Sequence, residues 1–258
     1  MNIKNFTGIS ENEKPLDNIL ENGGFTSIFQ TIGCVGDSLS SGELETNDKE
    51  GVRRYFDLFE YSWGQYISKM TGAKVYNFSR GGMTAKEYME SFGDQRGFWN
   101  TDYVCDAYIL ALGVNDLFGL KMELGSISDI DVKDYKKNKP TFAGYYAQIV
   151  QRLRMISHRS KLFFVTMPKE PADDRDALKD AHAALMYDFA NLFGNAYVVD
   201  LRKYAPVNDD EYKRKFYGCG HLNTAGYYLT AVMIASYIDY IVRSDFEKFA
   251  DNGLKNLI

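Results

Sequence analysis

Four short stretches of this chain carry residue types that can do acyl chemistry. They are Gly36-Asp37-Ser38-Leu39-Ser40, Ser79-Arg80-Gly81-Gly82-Met83-Thr84, Gly113-Val114-Asn115-Asp116 and Gly218-Cys219-Gly220-His221-Leu222-Asn223. Acyl transfer needs an activated hydroxyl, a base within hydrogen-bond reach and donors for the oxyanion. Ser38 and His221 fit the first two needs. The Ser38 N–H, the Gly82 N–H and the Asn115 side chain fit the third. Each stretch alone has a plainer reading. Gly-Asp-Ser is a common turn, and paired glycines serve either close backbone approach to a ligand or a tight strand-to-helix turn. An asparagine can aim its amide into a cleft or close an Asx turn on its own backbone. Of the three histidines, His158 ends a predicted helix, where a cation suits the dipole. His182 falls in a charged amphipathic helix and is expected on its solvated face. His221 alone sits on a glycine-framed loop just before a helix.

The elements that must position these residues are readable as alternating apolar and amphipathic runs. Strands are predicted at 29–35, 74–78, 107–112, 161–167 and 196–201, most of them near-continuously apolar, as strands covered on both faces are. Helices are predicted at 56–70, 84–89, 142–156, 176–193 and 224–249. Gly72 and Gly194 act as stops, and Asn223 or Thr224 caps the last helix. Strand then helix, five times over, predicts an α/β fold. The expected form is a three-layer α/β/α sandwich on a flavodoxin-like five-stranded parallel sheet, order 2-1-3-4-5. Ligands bind beyond the carboxyl ends of such strands, and the first three reactive stretches lie there. Residues 1–25 read as a polar lead-in and 26–258 as one domain. The polar stretch 121–139 is either a flap over the cleft or a surface excursion.

Composition narrows the function classes. The net charge is −5 and the pI about 5.3, which argues against nucleic acid as a partner. No apolar run approaches the ~18 residues of a membrane span. Cys34, Cys105 and Cys219 form no paired framework and no zinc pattern, so reduced thiols are expected. The N-terminus lacks the apolar core of a signal peptide, so a cytoplasmic location is expected unless such a peptide has been removed. The 19 Tyr and 17 Phe are read mainly as core. Phe56, Tyr61, Trp63 and Trp99 are candidate cleft aromatics, with Phe56 and Trp63 expected in the core.

Taken in order, the four stretches resemble the blocks of the SGNH (GDSL-like) hydrolases across about residues 30–240. Gly-Asp-Ser follows the first strand, a glycine the second, Gly-x-Asn-Asp the third, and a histidine block precedes the last helix. The resemblance implies an ester hydrolase with Ser38 as nucleophile and His221 as base. Ser38, Gly82 and Asn115 would be oxyanion donors, with an acyl-serine intermediate and no metal or cofactor. The expected substrate is a small-molecule or carbohydrate ester, with acetate as the acyl group. One departure stands out: the family's Asp three residues before the histidine is Gly218 here. A backbone carbonyl could orient His221 instead, or Asp209 or Asp210 could reach it from the preceding loop. An acyltransferase, or a non-catalytic ligand-binding module, are the other readings of the same scaffold. No Gly-x-Gly-x-x-Gly follows a strand, which sets a dinucleotide site aside.

Overall fold

The computed structural model describes residues 8–171 and 173–249. Five parallel strands form the central sheet: β1 (Thr31–Gly36), β4 (Lys74–Ser79), β5 (Ala107–Ala111), β6 (Lys161–Val165) and β7 (Ala196–Val199). Their spatial order is β4-β1-β5-β6-β7, the doubly wound order expected. β5 and β6 are almost wholly buried because helices cover both faces. On one face lie α3 (Phe142–Ile156) and α4 (Asp176–Phe193), over a core that includes Tyr146, Phe164 and Phe189. On the other lie α2 (Trp63–Thr71) and α6 (Thr224–Ser244), around Trp63, Phe163, Tyr227 and Ile238. Phe164 packs edge-on to Tyr146 at 5.8 Å and to Phe189 at 6.2 Å. Truncating such a ring to alanine costs about 3–5 kcal/mol, through lost burial and the cavity left behind.

Helix ends follow from their capping chemistry. Thr141 caps α3 through Gly144 N–H at 3.2 Å, and Asn223 caps α6 through Gly226 N–H at 2.9 Å. α6 is long and apolar enough to cross a membrane, but 72% of its apolar window is buried in the protein. It ends at Ser244 rather than at 249, and a separate turn at Phe246–Phe249 seats Phe249 against Phe29 and Tyr197. The N-terminal segment is fastened to α6. Leu20 N–H donates to Ser236 Oγ at 2.9 Å, Phe25 N–H donates to Asp239 at 2.7 Å, and Glu13 pairs with Arg243. The 121–139 excursion is tied down to α3: the Asn138 amide donates to Gly144 O at 3.1 Å and to Gln151 Oε1 at 2.8 Å.

One expectation fails in a way that matters. Residues 56–62 do not begin a helix. β2 (Glu43–Asn47) and β3 (Arg53–Asp57) form an antiparallel hairpin outside the main sheet, directly after the short helix α1 (Ser38–Ser41). Asp48 closes its turn by accepting Glu50 N–H at 3.1 Å and Val52 N–H at 2.8 Å. The helix starts only at Trp63, where Ser62 accepts Gln65 N–H at 3.2 Å. The apolar spacing of Phe56, Phe59 and Trp63 suits a helix, but pairing with β2 wins at Phe56.

Candidate active site

Parallel pairing sets Gly36 beside both Ser79 and Ala111, so β1, β4 and β5 end at one edge. Gly36 is required there: a Cβ would lie 2.1 Å from Ser40 Oγ. Asp37 then caps α1, its Oδ1 accepting Leu39 N–H at 3.1 Å. This carboxyl is buried, and desolvation pushes its pKa up to about 7. Ser38 is the first residue of α1 and is half-buried. In the first turn of a helix the N–H groups have no intrahelical acceptor, and Ser38 N–H has none elsewhere among the described residues.

The turn after β4 brings Gly82 to the same edge. Its φ of +71° is a left-handed conformation that favours glycine, and its exposed N–H also lacks an acceptor among the described residues. Asn115, in the turn after β5, donates one amide hydrogen to Met83 O at 3.0 Å. Its amide thus crosses to the Gly82 turn rather than closing on its own backbone, and one N–H remains for a ligand. Asp116 beneath it accepts Ala85 N–H at 3.1 Å and Lys86 N–H at 3.4 Å. Burial raises this carboxyl to about 6. Both aspartates therefore hold backbone in place.

His221 lies between two carboxylates of the hairpin. Its Nδ1 is 2.9 Å from Glu45 Oε2 and its Nε2 is 3.1 Å from Glu43 Oε1. The Tyr55 ring stands edge-on to the imidazole, at 6.0 Å between centroids. The Glu45 side chain is only 2% exposed, and its second oxygen pairs with Arg53 Nε at 2.8 Å. A buried carboxylate is tolerated when opposite charge is paired with it; here the Arg53 contact is an ion pair without hydrogen-bond alignment, and Oε1 has no hydrogen-bond partner among the described residues. Burial raises the pKa of Glu43, with Asp57 and Glu45 pushing the same way against His221. No hydrogen bond joins Ser38 Oγ to His221 in this arrangement, in which Nε2 faces Glu43.

The residues expected to orient His221 do other work. Asp209 caps α5 (Asp210–Phe216) by accepting Tyr212 N–H at 2.8 Å. Asp210 is the first residue of that helix. Gly218 donates its N–H to His221 O at 2.8 Å, closing the loop without touching the ring. The carboxylate on Nδ1 is Glu45, 176 residues earlier in the chain. Its only sequence signal is the Glu-x-Glu alternation at 43–45, which places both side chains on one face of a strand.

His182 is also corrected. It is wholly buried rather than solvated, with one ring nitrogen 3.3 Å from Leu112 O, and burial lowers its pKa to about 4. Among the candidate aromatics Trp63 is core, as expected, whereas Phe56 is half exposed. Tyr61 is exposed, and Trp99 lies under the Arg152 guanidinium at 4.5 Å. Cys34 and Cys105 are buried free thiols, and Cys219 is an exposed one. No group of three or more His, Cys, Asp or Glu side chains could hold a metal ion among the described residues.

Solved structures with the same fold include a family 3 carbohydrate esterase from Clostridium thermocellum. It has a TM-score of 0.53 and 16% identity over 83% of this chain and 97% of that one. An acetyl xylan esterase, AlAXEase, has a TM-score of 0.51 and 19% identity over 81% and 99%. A carbohydrate esterase family 2 enzyme from Corynascus thermopiles (Myceliophthora fergusii) has a TM-score of 0.55 and 16% identity over 81% and 65%. A comparison with curated protein sequences finds no significant match. The model of the GDSL-like lipase/acylhydrolase family matches residues 34–229, which takes in all four reactive stretches and the hairpin. On that match, and with the fold in agreement, the chain belongs to the GDSL-like lipase/acylhydrolase family and is an SGNH-type esterase.

Proposed function

We propose that the protein removes small acyl groups, acetate foremost, from carbohydrate esters through an acyl-serine intermediate. The observation that carries this reading is the grip of buried Glu45 on His221 Nδ1. A carboxylate on that nitrogen fixes the tautomer with the proton on Nδ1, leaves Nε2 basic, and stabilises the imidazolium that forms. Glu45 thereby fills the role that Gly218 leaves vacant, and the motive for a non-catalytic reading falls away.

The chemistry then follows from the chain's own groups. When substrate enters, His221 Nε2 leaves the proton it shares with Glu43 on that carboxyl and turns, now free to accept, to Ser38 Oγ. Catalytic hydrogen bonds are often unformed before substrate binds. Ser38 Oγ attacks the ester carbonyl while Nε2 takes its proton. The Ser38 and Gly82 N–H groups and the free Asn115 N–H receive the oxyanion. His221 returns the proton to the departing sugar hydroxyl, and water repeats the cycle on the acyl-serine.

A cleft of about 620 Å³ adjoins the His221 loop at Gly218 and Gly220; it is lined by Glu170, Lys213, Arg214 and Tyr217 among others, and not by Ser38 or His221 themselves. Its polar lining suits a hydroxylated ligand better than a long acyl chain. The carbohydrate esterases among the structural neighbours point the same way. Initial rates on p-nitrophenyl acetate and octanoate, with acetate release from acetylated xylo-oligosaccharides, test the proposal. We expect acetate to be preferred over octanoate, and a phosphonate ester to label Ser38. Folded protein that turns over neither ester and resists the phosphonate would overturn it.

A further inference from the structure

Within the turn after β4, Met83 is buried in the core, but Gly82 beside it has little packing of its own. A Cβ built on Gly82 would meet nothing within 4 Å, and the residue is exposed. The turn's internal bond is a single Met83 N–H to Arg80 O contact at 3.2 Å. Arg80 pairs with Glu87, and two further side chains from outside bond the backbone on either side of Gly82. Asn115 takes the Met83 carbonyl on one side. On the other, Asp57 Oδ2 accepts Gly81 N–H at 3.1 Å. The second oxygen of Asp57 accepts from Ser41 Oγ, at the end of the helix that begins with Ser38. Ser41 Oγ also lies 3.1 Å from Ser38 O. One carboxylate at the end of β3 thus bridges the nucleophile's helix to the peptide just before Gly82.

We propose that Asp57 is a positioning residue that sets the Gly82 N–H at the correct place relative to Ser38 for the oxyanion. This inference rests on the esterase reading above. An oxyanion donor acts only if it lies at hydrogen-bond distance from the oxygen of the tetrahedral intermediate, and small displacements are costly. The Gly81 N–H bond aims one peptide plane, and the Gly82 N–H belongs to the next. In this role Asp57 acts through Gly81 and Ser41 rather than on the substrate, so its loss should weaken binding of the transition state and leave substrate binding in place.

The experiment compares Asp57→Ala with Asp57→Asn, alongside Ser38→Ala, on p-nitrophenyl acetate. It also follows hydrogen exchange at the Gly81 amide by NMR. Asparagine keeps an oxygen for Gly81 N–H, and its amide nitrogen can donate to Ser41 Oγ. We expect Asp57→Ala to lose about 10- to 100-fold in kcat with KM little changed. Asp57→Asn should recover most of that loss, and Gly81 exchange should quicken in Ala alone. Equal kcat for Asp57→Ala and wild type would overturn the inference, as would an Asn variant as poor as Ala. If Ser38→Ala is as active as wild type, or wild type is inert, the esterase reading fails. Gly81 exchange then decides the Asp57 contact: unchanged exchange in Asp57→Ala removes it, and faster exchange in Ala alone upholds it.

Discussion

The strand-end turns and the β2–β3 hairpin build one site by different means. The turns after β1, β4 and β5 carry short motifs, and the parallel register aligns them without further help. Their acidic residues, Asp37 and Asp116, are buried and spend themselves on backbone N–H groups. The hairpin carries no motif, yet its carboxylates reach three parts of the site. Glu45 and Glu43 take the two nitrogens of His221, and Asp57 takes the Gly82 turn. In the proposed mechanism the turns and the His221 loop supply the reacting groups and the hairpin supplies their orientation. Removal of a reacting group should therefore abolish turnover, and removal of a hairpin group should grade it.

The largest effects should come from the reacting groups, Ser38 on the turn after β1 and His221 on the loop before α6. Ser38→Ala and His221→Ala should each lose ~10³-fold or more in kcat/KM, with circular dichroism unchanged. A smaller loss from His221→Ala would move the base elsewhere. Within the hairpin, Glu43→Ala should cost less than ~10-fold, because the Nε2 contact must break before Ser38 is activated. A larger loss would give Glu43 a catalytic part of its own. The smallest kinetic effects should come from Asp209→Ala and Asp210→Ala, which should keep kcat within about twofold of wild type.

Stability gives an independent reading of the turns. The Asp37 carboxyl titrates at about 7 in the folded protein and near the ordinary carboxylate value when unfolded. The folded state therefore holds a proton that the unfolded state has released. Stability present at pH 4 is lost as the pH rises through 7. Asp37→Asn keeps the acceptor for Leu39 N–H and removes the charge. Its Tm at pH 8 should exceed that of wild type by roughly 5 °C, and the gap should close near pH 4. A gap of the same size at both pH values would mean that the effect is packing and not ionisation.

Much of this arrangement is legible in the sequence because it is local. The five apolar runs announce the parallel sheet, and Gly36, Ser38, Gly82 and Asn115 sit within a few residues of strand ends. The orienting carboxylate is not legible for the opposite reason. Glu45 meets His221 only through a hairpin whose first strand, Glu43–Asn47, is mostly polar and whose second, Arg53–Asp57, runs into the start of the helix predicted at Phe56. A search near Gly218 finds Asp209 and Asp210, which are close in sequence but occupied with α5. His182 misleads similarly. Its neighbours in the sequence are charged, while its ring meets Leu112 O, 70 residues away, and Phe142, 5.5 Å between centroids.

The central claim is that Glu45 does for His221 what the residue missing at Gly218 does elsewhere in the family. The most direct test is kcat and KM for Glu45→Ala on p-nitrophenyl acetate, in folded protein. We predict a fall in kcat of ~100-fold or more with KM within a few-fold of wild type. A Glu45→Ala enzyme that keeps kcat within about threefold of wild type would contradict the account and leave His221 without a working carboxylate partner.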